Sequence, residues 1–246
     1  MNPRIFGRQY PVLFLFDGQK VLPPCIQNAW LPIDEALPGL IRSKKMPPII
    51  VVGIDSGVHR SHEYLPYPSL FEEPEDLPTG KDIPDFLVKE VIPHVTNYRI
   101  SNRPEERAIG GISNGAVAAL HSLIEHPEIF GLGLLESPML HNGNGRLVRD
   151  TAGLARGPDR VYIGIGTEEV SAEGKQFADH LRVSLKDANK GLVRLAEEVA
   201  RNLRRASFNQ PTVRLVRDTR AHHDPEYWRR RFPAAIVFPF KARSQL

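Results

Sequence analysis

Ser113 lies in Gly111-Ile112-Ser113-Asn114-Gly115, a G-x-S-x-G placed where an apolar run, Arg107 to Ile112, meets a helix-forming one that reaches Leu120. A serine hydroxyl becomes an effective nucleophile when a neighbouring base takes its proton and a third group orients that base. Glycines on both sides permit a tight turn that lifts the hydroxyl above the end of a strand. The N–H of Asn114, at the helix start, then faces the space where an oxyanion would form. A serine acting only as a helix N-cap accounts for Ser113 but not for two flanking glycines after a β run. The bare five-residue pattern is weak, so the reading depends on partners downstream.

In α/β-hydrolases those partners are an acid and then a histidine, each in a loop after a strand. After "RVYIGI" the chain reads "GTEE", which offers Glu168 and Glu169. After "TVRLVRD" it reads "TRAHHDPEYW", which offers His222 and His223. Asp224 followed by Pro225 is a helix start, with Asp as N-cap and Pro in the first turn, so both histidines fall in the loop before a helix. A second oxyanion donor is expected from the loop after the first strand, at Gly18 to Gln19. The histidines show no metal-ligand spacing such as HExxH, and the pairs Gly110-Gly111 and Gly164-x-Gly166 do not make a phosphate-binding fingerprint. No metal and no cofactor is implied.

These residues need a scaffold, and six apolar runs supply one: Tyr10 to Phe16, Pro48 to Asp55, Arg107 to Ile112, Gly131 to Ser137, Arg160 to Gly166 and Thr212 to Asp218. Continuous rather than alternating hydrophobicity suits strands covered on both faces, as in a parallel sheet. "DFLVKEVIPHV" and "AVAALHSLIEHP" read as helices, and the stretch from Lys175 to Ala206 as a longer helical region interrupted near Asn189 and Gly191. The alternation defines an α/β class with helices on both faces of the sheet. Asp55 to Asp85 reads as an ordered surface excursion.

The 246 residues are 41% hydrophobic, which suffices to bury the core of one large domain spanning 1–246. The 32 Lys and Arg exceed the 29 Asp and Glu too slightly to argue for nucleic acid. The basic clusters Arg201 to Arg205 and Trp228 to Arg231 read as solvated helix faces. The single cysteine, Cys25, excludes an internal disulfide and reads as a bystander thiol. No run has the length of a membrane span and the N-terminus lacks a signal-peptide layout, so a cytoplasmic protein is expected as written, or a secreted one if the start is truncated. Composition leaves the oligomeric state open.

Taken in order, "YPVLFLFDGQ", "VVGIDSGVHRSHEYLP", "FLVKEVIPHV", "GISNGAVAAL", "HPEIFGLGLLESP", "GTEE" and "AHHDPEYW" resemble the esterase branch of the α/β-hydrolases that includes enterochelin esterases, siderophore-hydrolysing relatives and esterase D. The resemblance covers nearly the whole chain. It implies an α/β-hydrolase fold, Ser113 as nucleophile and His223, the histidine before Asp224, as base. The spacing G-x-x-E points to Glu169 as the acid, with Glu168 as second choice. The resemblance also matches Arg60 and Glu63 to an R-x-x-E pair that borders the active site; the alternative is a surface ion pair. Two departures stand out: relatives begin with one or two additional strands, here shortened or missing, and the elbow reads S-N-G-A where S-M-G-G is more common.

The implied activity is hydrolysis of a small-molecule carboxylic ester. Acyl transfer to an alcohol and a noncatalytic binding protein on the same scaffold are the alternatives. A catecholate siderophore would call for basic residues near Ser113, with Arg60, Arg220 and Arg229 as candidates. A feruloyl or carbohydrate-linked ester would call for aromatic walls, for which Trp30, Tyr64, Tyr67 and Trp228 are available.

Overall fold

The structure, a computed structural model, describes residues 7, 9–22, 30–68, 77–171, 178–179 and 182–241. Cys25 lies outside them, as do residues 69–76 of the expected surface excursion. Each of the six apolar runs contains a strand: β1 (Val12–Phe16), β2 (Ile50–Ile54), β3 (Arg107–Ile112), β4 (Leu132–Glu136), β5 (Arg160–Gly166) and β6 (Thr212–Asp218). They form one sheet in the order β2-β1-β3-β4-β5-β6, every neighbouring pair parallel. The four inner strands are buried on both faces, which is why their sequences read as unbroken apolar runs. The edge strands β2 and β6 are more open.

The helices are α1 (Gly18–Val21), α2 (Ile33–Arg42), α3 (Arg60–Tyr64), α4 (Ile83–Phe86), α5 (Ile92–Val95), α6 (Asn114–Glu125), α7 (Arg146–Asp150), α8 (Leu185–Arg204) and α9 (Pro225–Phe240), with a π-helical turn, Leu87–Val91, joining α4 to α5. Two apolar cores result. On one face Phe14, Ile109, Leu135 and Ile163 meet α6 and α8; on the other Leu13, Leu15, Leu134 and Tyr162 meet α9 and α2. The chain runs from β1 outward to β2 and then crosses to β3 on the other side of β1. Loops leaving β1 and β3 therefore diverge and open a crevice above their carboxyl ends, the usual ligand position in open parallel sheets.

The long helical region differs from its expected form. α8 runs unbroken through Asn189 and Gly191, and its start is fixed upstream by Ser184, whose side chain accepts a hydrogen bond from the Asp187 N–H at 3.1 Å. Asn189 does not break the helix because its amide points outward to satisfy the backbone of Val170, accepting from Val170 N at 2.8 Å and donating to Val170 O at 3.0 Å.

The basic run Trp228 to Arg231 also departs from a solvated face. Arg231 is 6% exposed and lies beneath the sheet edge, giving Nε and Nη2 to Glu136 Oε2 at 3.0 and 2.8 Å and Nη1 to Asp218 Oδ2 at 3.0 Å. Burial pushes the Glu136 carboxyl above its ordinary range, and Arg231 works against that push. Breaking such a pair leaves an uncompensated buried charge. Arg231→Met is expected to lose about 3–5 kcal/mol in urea unfolding, while Glu136→Leu/Arg231→Met recovers most of that loss.

Candidate active site

Ser113 is the residue between β3 and α6, with φ 60° and ψ −125°. A non-glycine residue is rarely held there, and the surroundings show what holds it. A Cβ on Gly111 would run into the Gly115 carbonyl, and one on Gly115 would lie 3.0 Å from Asp17 Oδ2 and 3.2 Å from Phe16 Cβ. The two glycines thus let α6 start directly against β1 and β3, and the serine between them takes the strain. The Ser113 N–H donates to Glu136 O at 2.9 Å, which ties the elbow to the end of β4.

The candidate carboxylate and histidine meet on the far side of β4, after β5 and β6. Glu169 follows β5 in a turn, its side chain 1% exposed, and Oε2 accepts from His223 Nδ1 at 2.7 Å. Oε1 accepts from the Gly166 N–H at 2.5 Å and from Ser137 Oγ at 2.7 Å. A neutral imidazole that gives its Nδ1–H to this carboxylate presents its other ring nitrogen as an acceptor, which is what a general base needs. The ring stands edge-on to Trp228 at 5.1 Å, and Trp228 Nε1 donates to Ser137 Oγ at 3.0 Å. The neighbouring candidates form a looser copy of this arrangement: His222 Nε2 is 4.0 Å from an exposed Glu168, and its Nδ1 contacts Glu168 O at 2.8 Å. The closed geometry belongs to Glu169 and His223.

Across the crevice, Gly18 and Gln19 open α1 and Asn114 opens α6, so their N–H groups lack intrahelical acceptors. The side chain of Gln19 is held away by Ser56, to which it donates at 2.6 Å. Arg60 and Glu63 do not pair with each other. Arg60 gives Nε and Nη2 to Asp17 at 2.5 and 2.7 Å and lies over the rings of Tyr64 and Trp30, whereas Glu63 accepts from the Gly57 N–H at 2.8 Å. Asp17, 1% exposed and left-handed at φ 61°, also donates its N–H to the Tyr64 hydroxyl at 3.1 Å. Arg60 thus braces the loop that carries Gly18 and Gln19. Trp30 packs on Trp228 at 5.6 Å, carrying the brace across to the histidine side. Arg220 and Arg229 stay outside this cluster, Arg220 exposed and Arg229 3.3 Å from Glu35; Tyr67 lies under Arg146.

The loop after β4 closes the remaining side. Asn142 Nδ2 donates to Asn114 Oδ1 at 2.9 Å, so the unusual asparagine of the elbow anchors this loop. Beside it, burial and the charge of His223 together hold His141 down to about 4. Sequence reasoning passed over Ser137, Asp17 and Asn142, and offered Trp228 only as an aromatic wall. Ser137 carried one readable signal, its place at the carboxyl end of a buried strand, level with the elbow. No group of three or more His, Cys, Asp or Glu among the described residues is placed to hold a metal ion, and no helix among them is long and apolar enough to cross a membrane.

A parallel sheet with a serine elbow at its carboxyl edge and a carboxylate–histidine contact beside it has the architecture of an α/β-hydrolase. The family described as Putative esterase matches residues 2–238, and the chain belongs to that family, a class of carboxylic ester hydrolases. Among curated proteins it is similar to the uncharacterized protein YbbA of Bacillus subtilis strain 168, 22% identical over 243 residues that cover 96% of this chain and 88% of YbbA. Among solved structures it is similar to the enterobactin esterase FES of Shigella flexneri in the presence of 2,3-dihydroxy-N-benzoyl-glycine, with TM-score 0.65 and 19% identity over 93% of this chain; it spans 52% of that one. The siderophore hydrolase EstA of Aspergillus nidulans gives TM-score 0.67 and 18% identity over 94% of this chain and 81% of its own. The BES protein of Bacillus cereus gives 0.69 and 15% over 95% and 84%.

Two expectations follow from the site's geometry. Strain of about 1–3 kcal/mol at a positive-φ residue is relieved by glycine, so Ser113→Gly is expected to unfold a few degrees above Ser113→Ala in a thermal melt. His141 has a folded-state pKa lowered from 6.5 to about 4. The unfolded chain therefore takes up this proton first, and the associated stability is present above about 6.5 and lost as pH falls toward 4. His141→Gln is expected to lose less stability than the parent across that window, read by urea unfolding at each pH.

Proposed function

We propose that the protein hydrolyses a carboxylic ester through an acyl-enzyme on Ser113. The observation that carries this reading is the 2.7 Å contact between His223 Nδ1 and a buried Glu169, at the sheet edge where Ser113 sits on a strained elbow. Membership in an esterase family supports the reaction class. The likeness to siderophore hydrolases extends to fold alone.

In this mechanism His223 Nε2 takes the Ser113 hydroxyl proton as Oγ bonds to the ester carbonyl carbon. The carbonyl oxygen becomes an oxyanion held by the Asn114 N–H and by an N–H from Gly18 or Gln19. The C–O bond to the alcohol then breaks, and the proton on His223 passes to the departing alkoxide. Water, deprotonated by His223, attacks the acyl carbon, and the proton returns to Ser113 Oγ as the acid leaves. Glu169 fixes the imidazole tautomer and stabilises the imidazolium.

Hydrolysis of a short-chain p-nitrophenyl ester tests the assignment. Ser113→Ala is expected to lower turnover on the order of a million-fold. Glu169→Gln, which turns the tautomer the wrong way, is expected to cost about ten-thousandfold. Glu168→Gln is expected to stay near the parent rate. Full activity in Ser113→Ala would overturn the proposal.

A further inference from the structure

Three neighbouring strands, β1, β3 and β4, each hand over to a polar residue with positive φ: Asp17 at 61°, Ser113 at 60° and Ser137 at 44°. Glycine adopts that backbone without strain, so a side chain kept there calls for a reason in its contacts. Asp17 has one in its pairing with Arg60, and Ser113 is the proposed nucleophile. Ser137, fully buried, takes no part in the steps of ester cleavage.

Its hydroxyl has one proton to give and lone pairs to offer. Trp228 Nε1 donates to Oγ at 3.0 Å, and Arg231 Nη2 does so at 3.3 Å. Indole and guanidinium nitrogens are donors only, so neither can take the hydroxyl proton. Glu169 Oε1, 2.7 Å away, accepts it. The rotor is thus turned by two side chains of α9 and aimed at the carboxylate. The backbone beneath it is fixed as well, by the Ser137 N–H donating to Gly164 O at 2.8 Å. Glu169 Oε1 has its other hydrogen bond from the Gly166 N–H, at the end of β5, whereas Ser137 reaches it from the end of β4. Oε2 of the same carboxylate meets His223 Nδ1, so pinning Oε1 from two directions stops the group from swinging away from the ring.

Resting on the esterase reading above, we propose that Ser137 is a positioning residue, whose hydroxyl holds the Glu169 carboxylate in the orientation that meets His223 Nδ1. It touches no reacting atom and acts through Glu169 alone. The strained backbone at the end of β4 is the conformation from which this one proton reaches the carboxylate.

Two substitutions separate the hydroxyl from the backbone it stands on. Ser137→Gly removes the hydroxyl and the strain together, whereas Ser137→Ala removes the hydroxyl and keeps the strain. In hydrolysis of a short-chain p-nitrophenyl ester, both are expected to lower kcat by roughly 10- to 100-fold with KM within about twofold of the parent, a smaller loss than that of Glu169→Gln. Thermal melts are expected to separate the two variants, Ser137→Gly unfolding above Ser137→Ala, so that activity does not follow stability. In a Glu169→Gln background, Ser137→Gly is expected to change kcat by less than about twofold, since nothing is left to position. In proton NMR without substrate, the downfield Nδ1–H resonance of His223, identified by its loss in His223→Ala, is expected to move upfield in both Ser137 variants. Parent kcat in Ser137→Gly, an equal loss in both backgrounds, or an imidazole resonance unmoved by either substitution would each overturn the assignment while leaving the mechanism intact. Ester hydrolysis that persists in Ser113→Ala would instead overturn the mechanism beneath it.

Discussion

A carboxylate removed from water is costly unless hydrogen bonds replace its hydration, and Glu169 is almost wholly removed. Its two oxygens are met by a backbone N–H from its own turn, a hydroxyl from the end of β4 and an imidazole from the loop after β6. Those three groups come from three different connections, so the carboxylate is satisfied when β4, β5 and β6 end in their observed register. Val170, the next residue, is in turn fixed by the side chain of Asn189. The histidine's orientation is thus a property of the whole right-hand half of the sheet.

Below this lies a second charged layer. Glu136, Arg231 and Asp218 are interlocked at the strand ends, and Arg231 Nη2 reaches Ser137 Oγ at 3.3 Å, the same hydroxyl that donates to Glu169. Ser137 therefore sits between a structural ion pair and Glu169, while Trp228 supports it from the side and packs against His223. On the opposite flank Asp17 and Arg60 do comparable work for the loop carrying Gly18 and Gln19. Both flanks use a buried carboxylate held by a guanidinium, a planar donor fork suited to bidentate contact.

The strands were legible in the sequence because burial on both faces writes itself as an unbroken apolar run, and the boundaries of β3, β5 and β6 coincide with those runs. Ser113, Glu169 and His223 could be proposed from local context, since an elbow, a post-strand turn and a helix N-cap are features of neighbouring residues. The partnerships could not. Nothing local separates Glu168 from Glu169; the difference is that one turns into the protein toward Ser137 and the other into solvent. Arg231 read as a solvated charge, and Arg60 as one half of a pair with Glu63, because their carboxylates are far away in the chain, at Glu136 and Asp17. Asn189 read as a helix breaker because its acceptor and donor, on Val170, are likewise nonlocal.

α8 reaches the buried carboxylate from outside the sheet. Through Asn189 it grips Val170, the residue after Glu169. The helix is one unbroken rod from Leu185 to Arg204, so a tilt anywhere along it is felt at that grip. A substitution at its far end therefore loosens the turn that presents Glu169 to His223 without touching either residue.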